Sequence, residues 1–408
     1  MQSAIKAHDF GAVFRLARTH ARISYSKIAA ECDIKPERVG TLAGGRGSVT
    51  SFEKIAVIAD ALRIPGRLLG LADRPWEVSN STRDGENVRR RDFVRNTGSV
   101  AATLALPPVE RGRHIGANVP HQLRRRAARL RKLDDVLGGG DTFRLYLGEY
   151  QSTRVLVRDH SYGEATGRAL RSVLAEQAQQ AGWAAFDSGR HAEAQGLYEA
   201  SGSAAREAGD AALSGNALAF LAYQHSAADK SAAVAIAAEA CRTAGADAPA
   251  GVRALLLERL AWAHAVASQA RETEAALHAA EAALLEQGGD LPPDWAAWVD
   301  LDELEIMKGR CWTELRRPLR SVPVLESVLD RFDDTHARDK ALYLSWLAES
   351  YLAASEVEAA AMTAGRALEL AAGVASVRPR RRLMSTVQAL AKHRGVPEVD
   401  DLLEREQI

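Results

Sequence analysis

The sequence has little sulphur, few aromatic side chains and no net charge. Its 408 residues include three cysteines, four methionines and 6% aromatic residues, with 53 basic and 53 acidic side chains. Cys32, Cys241 and Cys311 are far apart and match no metal-ligand spacing, which is typical of buried thiols in a reducing compartment. No apolar run approaches the roughly 18 residues that a membrane-spanning helix needs. We therefore expect a cytoplasmic protein with no metal ion, no cofactor and no membrane partner.

Sequence motifs for catalysis are missing as well. The histidines are scattered, and no His-Glu-x-x-His motif, nucleophile elbow or phosphate loop occurs. The run Gly138–Gly140 lacks the Gly-Lys-Ser/Thr ending of a phosphate loop, so we interpret it as a flexible break. The densest carboxylate group, from Asp300 to Glu305, indicates a solvated start of a helix rather than a paired acid and base. These absences predict that the protein is not an enzyme.

Charge is balanced over the whole chain but not along it. Residues 1–135 contain 25 lysines and arginines against 14 acidic residues, whereas residues 136–408 contain 28 against 39. Such an asymmetry is typical of a protein whose basic end faces nucleic acid. The composition therefore favours a DNA-binding motif in the first part of the chain.

Apolar residues at helical spacing between Val13 and Leu71 predict four or five short helices around one small core. Within this run we predict a first helix over Ser24–Glu31, a tight turn over Cys32–Ile34 and a second helix over Pro36–Ala43. Proline suits the first turn of a helix because its missing N–H is not needed there. This arrangement projects the second helix outward, as a recognition helix does.

Polar residues fall where DNA would contact this pair of helices. We expect the N-terminus of the first helix to face a phosphate, the outward face of the second to read bases, and the following glycine-rich loop to supply a further arginine. The candidate DNA-binding residues are Tyr25, Ser26, Lys27, Lys35, Glu37, Arg38, Thr41 and Arg46. The run resembles the Cro/phage-repressor (XRE) helix-turn-helix family, although Tyr25 and Pro36 stand where that family usually has glutamine or serine. A small helical domain that binds nothing is the alternative.

Residues 72–140 are predicted to form a linker followed by a basic helix. The stretch from Ala72 to Val119 is polar and lacks periodicity, which is typical of an extended connector. A helix is predicted from about His121, and its basic residues are Arg124, Arg125, Arg126, Arg129, Arg131 and Lys132. They form either a solvated face or a contact with DNA or an acidic partner.

The chain beyond Gly140 is rich in alanine and repeats itself. One repeat position holds Gly182, Ala219, Ala261, Gly309 and Ala348. Seven residues further come Gly189, Ser226, Ser268, Arg316 and Ser355; twelve further come Ala194, Ser231, Thr273, Ser321 and Ala360; sixteen further come Tyr198, Ala235, Leu277, Leu325 and Ala364. Small residues at helix crossings predict at least five stacked helical hairpins, followed by a closing helix over Arg380–Leu403. The segments GWAAFDSGRHAEAQGLYEAS and WLAESYLAASEVEAAAMTAGRALEL resemble the tetratricopeptide repeat family.

The first helix of each pair would line the concave side of such a superhelix. Projecting the repeat onto that side selects nine candidate effector-binding residues: Gln179, Trp183, Phe186, Asn216, Phe220, Tyr223, Glu258, Trp262 and Arg310. Five of them are aromatic, and the amide of Asn216 can bond a peptide backbone in both directions. This composition predicts a groove for a peptide. In the alternative interpretation, Trp183, Phe186 and Trp262 belong to the core between repeats.

Segments along nearly the whole chain, among them RLAWAHA, GRCWTELRRP and TAGRALELA, resemble the peptide-responsive quorum-sensing regulators of the Rap/PlcR/PrgX superfamily, and especially their streptomycete group. The resemblance implies an all-α, cytoplasmic, homodimeric regulator of transcription that binds double-stranded DNA. Its expected parts are a helix-turn-helix domain (1–71), a linker with a basic helix (72–140) and a tetratricopeptide-like α-solenoid (141–408) that senses a peptide or small effector and dimerises. The alternative is a DNA-bound scaffold whose repeats recruit a protein partner without a small effector.

Overall fold

The computed structural model confirms the all-α fold class. The residues that it describes are 9–21, 24–32, 34–47, 49, 52–62, 64, 69, 114–286, 291–332 and 336–406. Within these ranges the secondary structure is helical, apart from an isolated bridge between His114 and Ser161. The chain divides into two compact units, Met1–Leu104 and Ala105–Ile408. Each unit has its own hydrophobic core.

The first unit contains four described helices around one small core. They are α1 (Phe10–Ala21), α2 (Tyr25–Glu31), α3 (Pro36–Ala43) and α4 (Phe52–Ala61). The bounds of α3 are those that the sequence predicts. α2 begins one residue later than predicted because Ser24 is its N-cap, with Oγ accepting the backbone N–H of Lys27 at 3.2 Å. The buried core side chains are Phe10, Val13, Phe14, Ala17, Ile28, Ala29, Cys32, Val39, Leu42, Ile55, Ile58, Ala59, Ile64 and Leu69.

Helix α1 crosses α3 at very short range. A β-carbon added at Gly11 would overlap the carbonyl oxygen of Leu42 and lie 2.8 Å from its carbonyl carbon. Close by, Arg15 Nη1 donates to the carbonyl oxygen of Ala43 at 2.6 Å. This hydrogen bond satisfies an acceptor that the end of α3 leaves without an intrahelical partner. One side of α3 is therefore fixed against α1, while its other side is exposed.

The second unit consists of fourteen described helices. They are α5 (Asn118–Leu137), α6 (Gly139–Asp159), α7 (Glu164–Asp187), α8 (His191–Ala208), α9 (Ala211–His225), α10 (Lys230–Ala244), α11 (Ala250–Val266), α12 (Ala270–Leu284), α13 (Leu301–Glu314), α14 (Pro318–Leu329), α15 (Ala337–Ala353), α16 (Val357–Ala372), α17 (Arg378–Leu390) and α18 (Pro397–Glu406). Five successive pairs, from α7–α8 to α15–α16, pack as helical hairpins, and each hairpin packs on the next. α6 packs on α7, and α5 packs on α6, α7 and α15.

The repeat register found in the sequence corresponds to real helix crossings. A β-carbon on Gly182 would lie 2.5 Å from the ring of Tyr198, and one on Gly309 would overlap the side chain of Leu325. Glycine at the first position thus makes room for the large residue sixteen positions later. The second hairpin departs from the register, because α9 extends one residue further beyond its aligned position, Ala219, than the other first helices do, and its turn has four residues instead of three. Its buried positions are therefore Ala233 and Ala237, while the aligned Ser231 and Ala235 are exposed.

The turn inside each of the other four hairpins contains one residue in the left-handed region. This residue is the one seven positions into the repeat: Gly189 (φ 82°), Ser268 (φ 63°), Arg316 (φ 57°) and Ser355 (φ 69°). Only glycine adopts this conformation without a steric cost, which is about 1 kcal/mol for other residues. In the second hairpin, Ser226 occupies the same position with an ordinary φ of −58°.

We expect Ser268→Gly, Arg316→Gly and Ser355→Gly each to raise the free energy of unfolding by about 0.5–1 kcal/mol, because glycine removes the strain of a positive φ. Urea unfolding of the full chain measures the change. Ser226→Gly is the matched control, and it is expected to lower stability because there glycine adds freedom to the unfolded chain and removes the hydrogen bond from the Ser226 hydroxyl to the carbonyl oxygen of Tyr223. Equal effects at Ser226 and at the three left-handed positions would contradict the explanation.

The end of the second unit differs from the single closing helix predicted over Arg380–Leu403. Two helices, α17 and α18, cover this stretch, and a 3-10 turn over Ala391–His393 follows the first. Gly395 then adopts a φ of 99° immediately before α18. Pro397 starts α18, and because proline lacks the N–H that a continuing helix needs, the chain breaks before it.

The three glycines Gly138–Gly140 form a close-packed junction, so the prediction of a flexible break is wrong. The N–H of the middle glycine donates to Asp187 Oδ2 at 2.9 Å, and that of the third donates to the carbonyl oxygen of Ala375 at 2.7 Å. A β-carbon on the middle glycine would lie 2.5 Å from the carbonyl oxygen of Ala184. Side chains would not fit where α6 begins.

Asp187, at the end of α7, joins the first hairpin to the segment that follows the last one. It is 1% exposed, its carbonyl oxygen accepts the N–H of Val377 at 3.2 Å, and its Oδ1 accepts the hydroxyl of Ser376 at 2.8 Å. The guanidinium of Arg378 lies 3.7 Å from the same carboxylate oxygen. The two ends of the hairpin series are thereby in contact within the second unit.

Candidate functional site

The eight candidate DNA-binding residues lie on α2, on α3, at the N-cap of α3 (Lys35) and in the loop after α3. Six of them are exposed: Ser26, Lys27, Lys35, Glu37, Arg38 and Arg46. Tyr25 and Thr41 are half-buried. The guanidinium of Arg18 stacks over the Tyr25 ring at 4.6 Å, and the Thr41 hydroxyl donates to the carbonyl oxygen of Glu37 at 2.8 Å. The first unit therefore presents a polar face around the N-termini of α2 and α3.

Arg38 and Gly40 lie on the exposed side of α3. The guanidinium of Arg38 lies beside the glycine-rich loop, since a β-carbon on Gly47 would be 3.1 Å from Arg38 Nη1. A β-carbon on Gly40 would meet nothing within 4 Å. The outward side of α3 thus has open space at its middle and a cation next to it.

The second unit encloses a cavity of about 760 Å³. The first helices of all five hairpins line it, together with α5, α17 and the segment before α13. Its polar and aromatic lining residues are Arg131, Tyr146, Glu176, Gln179, Gln180, Trp183, Asn216, Phe220, Tyr223, Arg259, Asp294, Trp295, Trp298, Asp300, Asp302, Glu303, Arg310, Arg331, Phe332, His336, Arg338, Asp339, Tyr343 and Arg378.

Six of the nine candidate effector-binding residues line this cavity. These six are Gln179, Trp183, Asn216, Phe220, Tyr223 and Arg310. The other three pack beside it: Phe186 stacks on Trp183 with ring centroids 5.7 Å apart, and Trp262 lies edge-on to Trp346 at 5.8 Å. Glu258 is fully buried. Phe186 and Trp262 therefore extend the aromatic wall from behind, as the core interpretation of these rings expects.

Arginines alternate with aromatic rings along one wall of the cavity. Arg378 stacks over Trp183 at 4.6 Å, and Arg310 lies between Trp262, at 4.8 Å, and Trp346, at 4.3 Å. Cation–π contacts of this kind favour the charged arginine in a place with little water. The stacking fixes the guanidinium planes, which is the precondition for directed hydrogen bonds to a ligand.

Tyr223 is the point on which the arginines converge. Its hydroxyl accepts hydrogen bonds from Arg378 Nη2 at 2.9 Å and from Arg310 Nη2 at 3.3 Å. Burial alone would raise the pKa of the Tyr223 phenol, but the positive charges of Arg378, Arg310 and Arg259 lower this pKa to about 8. The electrostatic potential at this hydroxyl is therefore strongly positive.

Gln179 and Asn216 form a buried amide network at the start of the cavity. Asn216 Nδ2 donates to Gln179 Oε1 at 2.7 Å, and Gln179 Nε2 donates to Ser201 Oγ and to the carbonyl oxygen of Leu213. One N–H of the Asn216 amide is thus used within the fold, and the amide has a second N–H and its Oδ1 for other partners. The two-way bond to a peptide backbone stays a prediction.

Two buried carboxyl groups lie close to the arginine wall. Neither carboxyl oxygen of Glu258 has a hydrogen-bond partner among the described residues, and burial raises the pKa of Glu258 to about 8. The single hydroxyl hydrogen of Tyr343 is shared between the two carboxyl oxygens of Glu303, at 3.1 and 2.9 Å, and burial raises the pKa of Glu303 to about 7. Both groups therefore bind protons near neutral pH.

Part of the cavity charge is neutralised by ion pairs. Arg131 pairs with Glu176 and Asp294, Arg331 with Asp302, and Arg338 with Asp339.

The interpretation of the basic helix as a solvated face holds only in part, because Arg131 is used inside the second unit and Arg126 pairs with Glu149 at 2.5 Å.

Two further cations, Arg259 and Arg310, have no such pairing. In the part of the chain that the structure describes, no carboxylate lies within 4 Å of either guanidinium. The aromatic wall therefore carries two positive charges without a carboxylate partner, whereas Arg131, Arg331 and Arg338 elsewhere in the cavity lining are neutralised by ion pairs.

Sequence reasoning missed the arginines Arg259 and Arg378. Adjacent residues on a helix point about 100° apart, so selecting Glu258 did not select its neighbour Arg259. A repeat register shifted by one residue would have selected Arg259. Arg378 lies outside the repeats, and only the contact between the first hairpin and α17 brings it to Trp183. No local pattern in the sequence predicts that contact.

Other kinds of site are not found. The described ranges contain no group of three or more histidine, cysteine or acidic residues that could hold a metal ion, and no helix among them is long and apolar enough to cross a membrane. Burial raises the thiol pKa of Cys32 and Cys241 to about 11 and that of Cys311 to about 12, which makes all three unreactive.

No family model matches the chain, and neither the curated proteins nor the solved structures include a significant match to it.

Proposed function

We propose that the protein is a sequence-specific DNA-binding regulator of transcription whose second unit binds an effector. The observation that carries the first part is the α2–turn–α3 pair. Its inner side chains Ile28, Ala29 and Val39 are buried, while six of the eight candidate contact residues are exposed around it. The excess positive charge of the first unit supports the proposal, since residues 1–104 contain 17 lysines and arginines against 11 acidic residues, and cations that neutralise phosphates supply most of the affinity for DNA. The resemblance to the XRE family favours the same assignment.

The cavity supports the effector-binding part of the proposal. Its volume of about 760 Å³ is in the usual range for small-molecule sites, which are concave and mostly apolar with a few directed polar groups. Trp183, Phe220 and Trp298 supply apolar area, and the arginines near Tyr223 supply the polar groups. A small molecule or a short peptide fits such a space better than a folded protein partner does.

Effector binding would control DNA binding through linkage. A ligand that binds one shape of the second unit more tightly shifts the protein toward that shape, and a preference of about 1.4 kcal/mol changes DNA affinity tenfold if only one shape suits the operator. A homodimer, as the family resemblance implies, would place two copies of α3 about 34 Å apart on one face of DNA. Light scattering on the full chain measures the oligomeric state.

Arg38→Ala is expected to weaken binding to the operator by about 1–3 kcal/mol while hardly changing binding to random DNA, because a base contact discriminates between sequences. Arg46→Ala is expected to weaken binding to both DNAs alike and to reduce the salt dependence, as the loss of a phosphate contact does. Genome-wide mapping of bound sites supplies the operator, and band shifts at several salt concentrations give the affinities. An unchanged operator-to-random ratio for Arg38→Ala would show that α3 does not read bases through this residue.

The scaffold alternative is tested with the same assay. Addition of a peptide-rich culture extract is expected to change the band-shift affinity of the full chain if the second unit senses an effector. Insensitivity to the extract, together with a protein that co-purifies with the chain, would instead support the scaffold. A failure to bind any mapped site would contradict both functions.

A further inference from the structure

We infer that the effector is an organic monoanion, a carboxylic acid with an apolar body, whose carboxylate is held by Arg259 and Arg310 beside Tyr223. This inference takes from the proposed function only that the cavity is the effector site. Three independent features of the cavity support it: the charges that lack a partner, the stacked aromatic wall, and the near balance of the lining charge.

Two arginine nitrogens in the cavity wall have no hydrogen-bond partner among the described residues. Arg310 is 4% exposed, and its Nε has no hydrogen-bond partner among the described residues. The same holds for Nη1 of Arg259, whose guanidinium lies 5.9 Å from the Tyr223 ring and 5.7 Å from Trp298. Burying a guanidinium without an anion is costly, so native proteins nearly always supply one. Here the fold supplies none within 4 Å, and a ligand carboxylate would fill that role with charge-assisted hydrogen bonds.

The aromatic wall indicates what the rest of the ligand is. Trp183 contacts Phe220 and Tyr223 with ring centroids 5.7 and 6.1 Å away, and all three rings line the cavity together with Arg259 and Arg310. A bare inorganic anion would leave these rings against water. An acid with an aromatic or branched aliphatic body would cover them and gain apolar burial as well as the charge interaction.

The charge of the lining favours one negative charge over two or three. Six arginines line the cavity, and six acidic residues line it with them. Burial raises the pKa of two of those acids, Glu176 and Glu303, so the lining is close to neutral with a small positive surplus. One negative charge suits this small surplus, whereas a phosphate dianion would leave the site clearly negative.

Matched acids and amides test the inference on the full-length chain. The probes are naphthylacetate with naphthylacetamide, and the tripeptide N-acetyl-leucyl-leucyl-phenylalanine with its C-terminal amide. Isothermal titration calorimetry at pH 7 is expected to show at least one acid binding about tenfold or more tightly than its own amide. Arg259→Gln and Arg310→Gln are each expected to abolish this preference by weakening the acid alone. Arg253→Gln, on the same helix but paired with Glu286 outside the cavity, should keep it.

The outcomes separate the possibilities. A preference in the tripeptide pair alone identifies the terminal carboxylate of a peptide, and a preference in the naphthyl pair alone identifies a small organic acid; both support the inference. Acids and amides that bind equally, acids that do not bind at all, or a preference that survives Arg259→Gln would overturn it. Arg310 is stacked between two tryptophans and its variant can misfold, whereas half-buried Arg259 keeps the test decisive.

DNA binding is measured separately on the same preparations. An acid preference in a protein that binds no mapped DNA site would refute the regulator and retain the carboxylate site. DNA binding without any acid preference would refute the carboxylate site and retain the regulator.

Discussion

Gly11→Ala is expected to unfold the first unit and abolish DNA binding while the second unit stays folded. The new β-carbon would overlap the carbonyl oxygen of Leu42 and lie 2.8 Å from its carbonyl carbon. Backbone atoms cannot rotate away as a side-chain end can, so α1 and α3 would have to separate. Overpacking typically costs about 1–3 kcal/mol, and we expect the upper end of this range because the clash is with backbone atoms. A unit with one small core has only a few kcal/mol of stability to lose.

The measurement combines band shifts with thermal unfolding of the full chain. We expect the transition of the second unit to be unchanged, because that unit has its own core. Gly40→Ala is the matched control in the same unit. It is expected to stabilise α3 by about 1 kcal/mol, since its β-carbon meets nothing within 4 Å and alanine favours a helix more than glycine does. A folded Gly11→Ala variant that binds the operator normally would refute the close crossing.

Gly40→Ala also tests how closely α3 approaches DNA. If the helix backbone contacts a base pair at Gly40, this variant is expected to gain stability and lose operator affinity together. An unchanged affinity would show that the backbone keeps its distance there. The glycine would then have no role that the structure explains.

Glu258→Gln is expected to raise the free energy of unfolding of the second unit by about 2–4 kcal/mol at pH 8. The Glu258 side chain is 0% exposed, its carboxyl oxygens have no hydrogen-bond partner among the described residues, and burial raises its pKa from 4.5 to about 8. At about 1.4 kcal/mol per pKa unit, this shift corresponds to at most about 5 kcal/mol. Glutamine has nearly the same shape and never ionises, so it removes the cost.

The gain should depend on pH in a defined way. Between pH 4.5 and 8 the folded state holds the proton of Glu258 while the unfolded state has released it, so the folded state binds more protons and stability falls as pH rises. Below pH 4.5 both states are protonated, and the variant and the wild type should then be equally stable. Above pH 8 both are ionised and the difference should level off. Urea unfolding of both proteins from pH 4 to pH 9 gives the curve.

Glu239→Gln is the control for this prediction. Glu239 is exposed on α10, and the hydrogen bond from Arg242 lowers its pKa. Its replacement should therefore reduce stability slightly above the ordinary carboxyl pKa, opposite in sign to Glu258→Gln. A gain at Glu258 that did not change between pH 4.5 and pH 8 would mean that the side chain is hydrated or paired in solution.

Within the first unit, the sequence determined α2 and α3 almost to the residue. The bounds of α3 agree with the prediction, and α2 differs only in that Ser24 caps it instead of belonging to it. Both signals are local, because a proline at a first helical turn and a serine before a helix act on backbone groups at most three or four residues away. The exposed positions on α3 follow from the same period.

The sequence also determined the repeat and much of the cavity wall. Gly182 packs on Tyr198 because a hairpin with a three-residue turn brings positions sixteen apart to one crossing, and the same geometry sets the left-handed turn residues. Six of nine projected residues line the cavity for this reason. The register failed at Ser231 and Ala235, because α10 begins eleven residues after the aligned position, whereas the second helix of each other hairpin begins nine residues after it.

Only the tertiary structure decided how the second unit closes and what its cavity holds. Asp187 bonds Ser376, and Tyr223 accepts from Arg378, across 189 and 155 residues of chain. No helical period carries information over such separations. The cavity, the unpaired arginines and the raised pKa of Glu258 all depend on which side chains this closure removes from water. Local backbone preferences thus determined where the helices begin and end, whereas burial by distant segments determined the charge and the pKa values of the cavity residues.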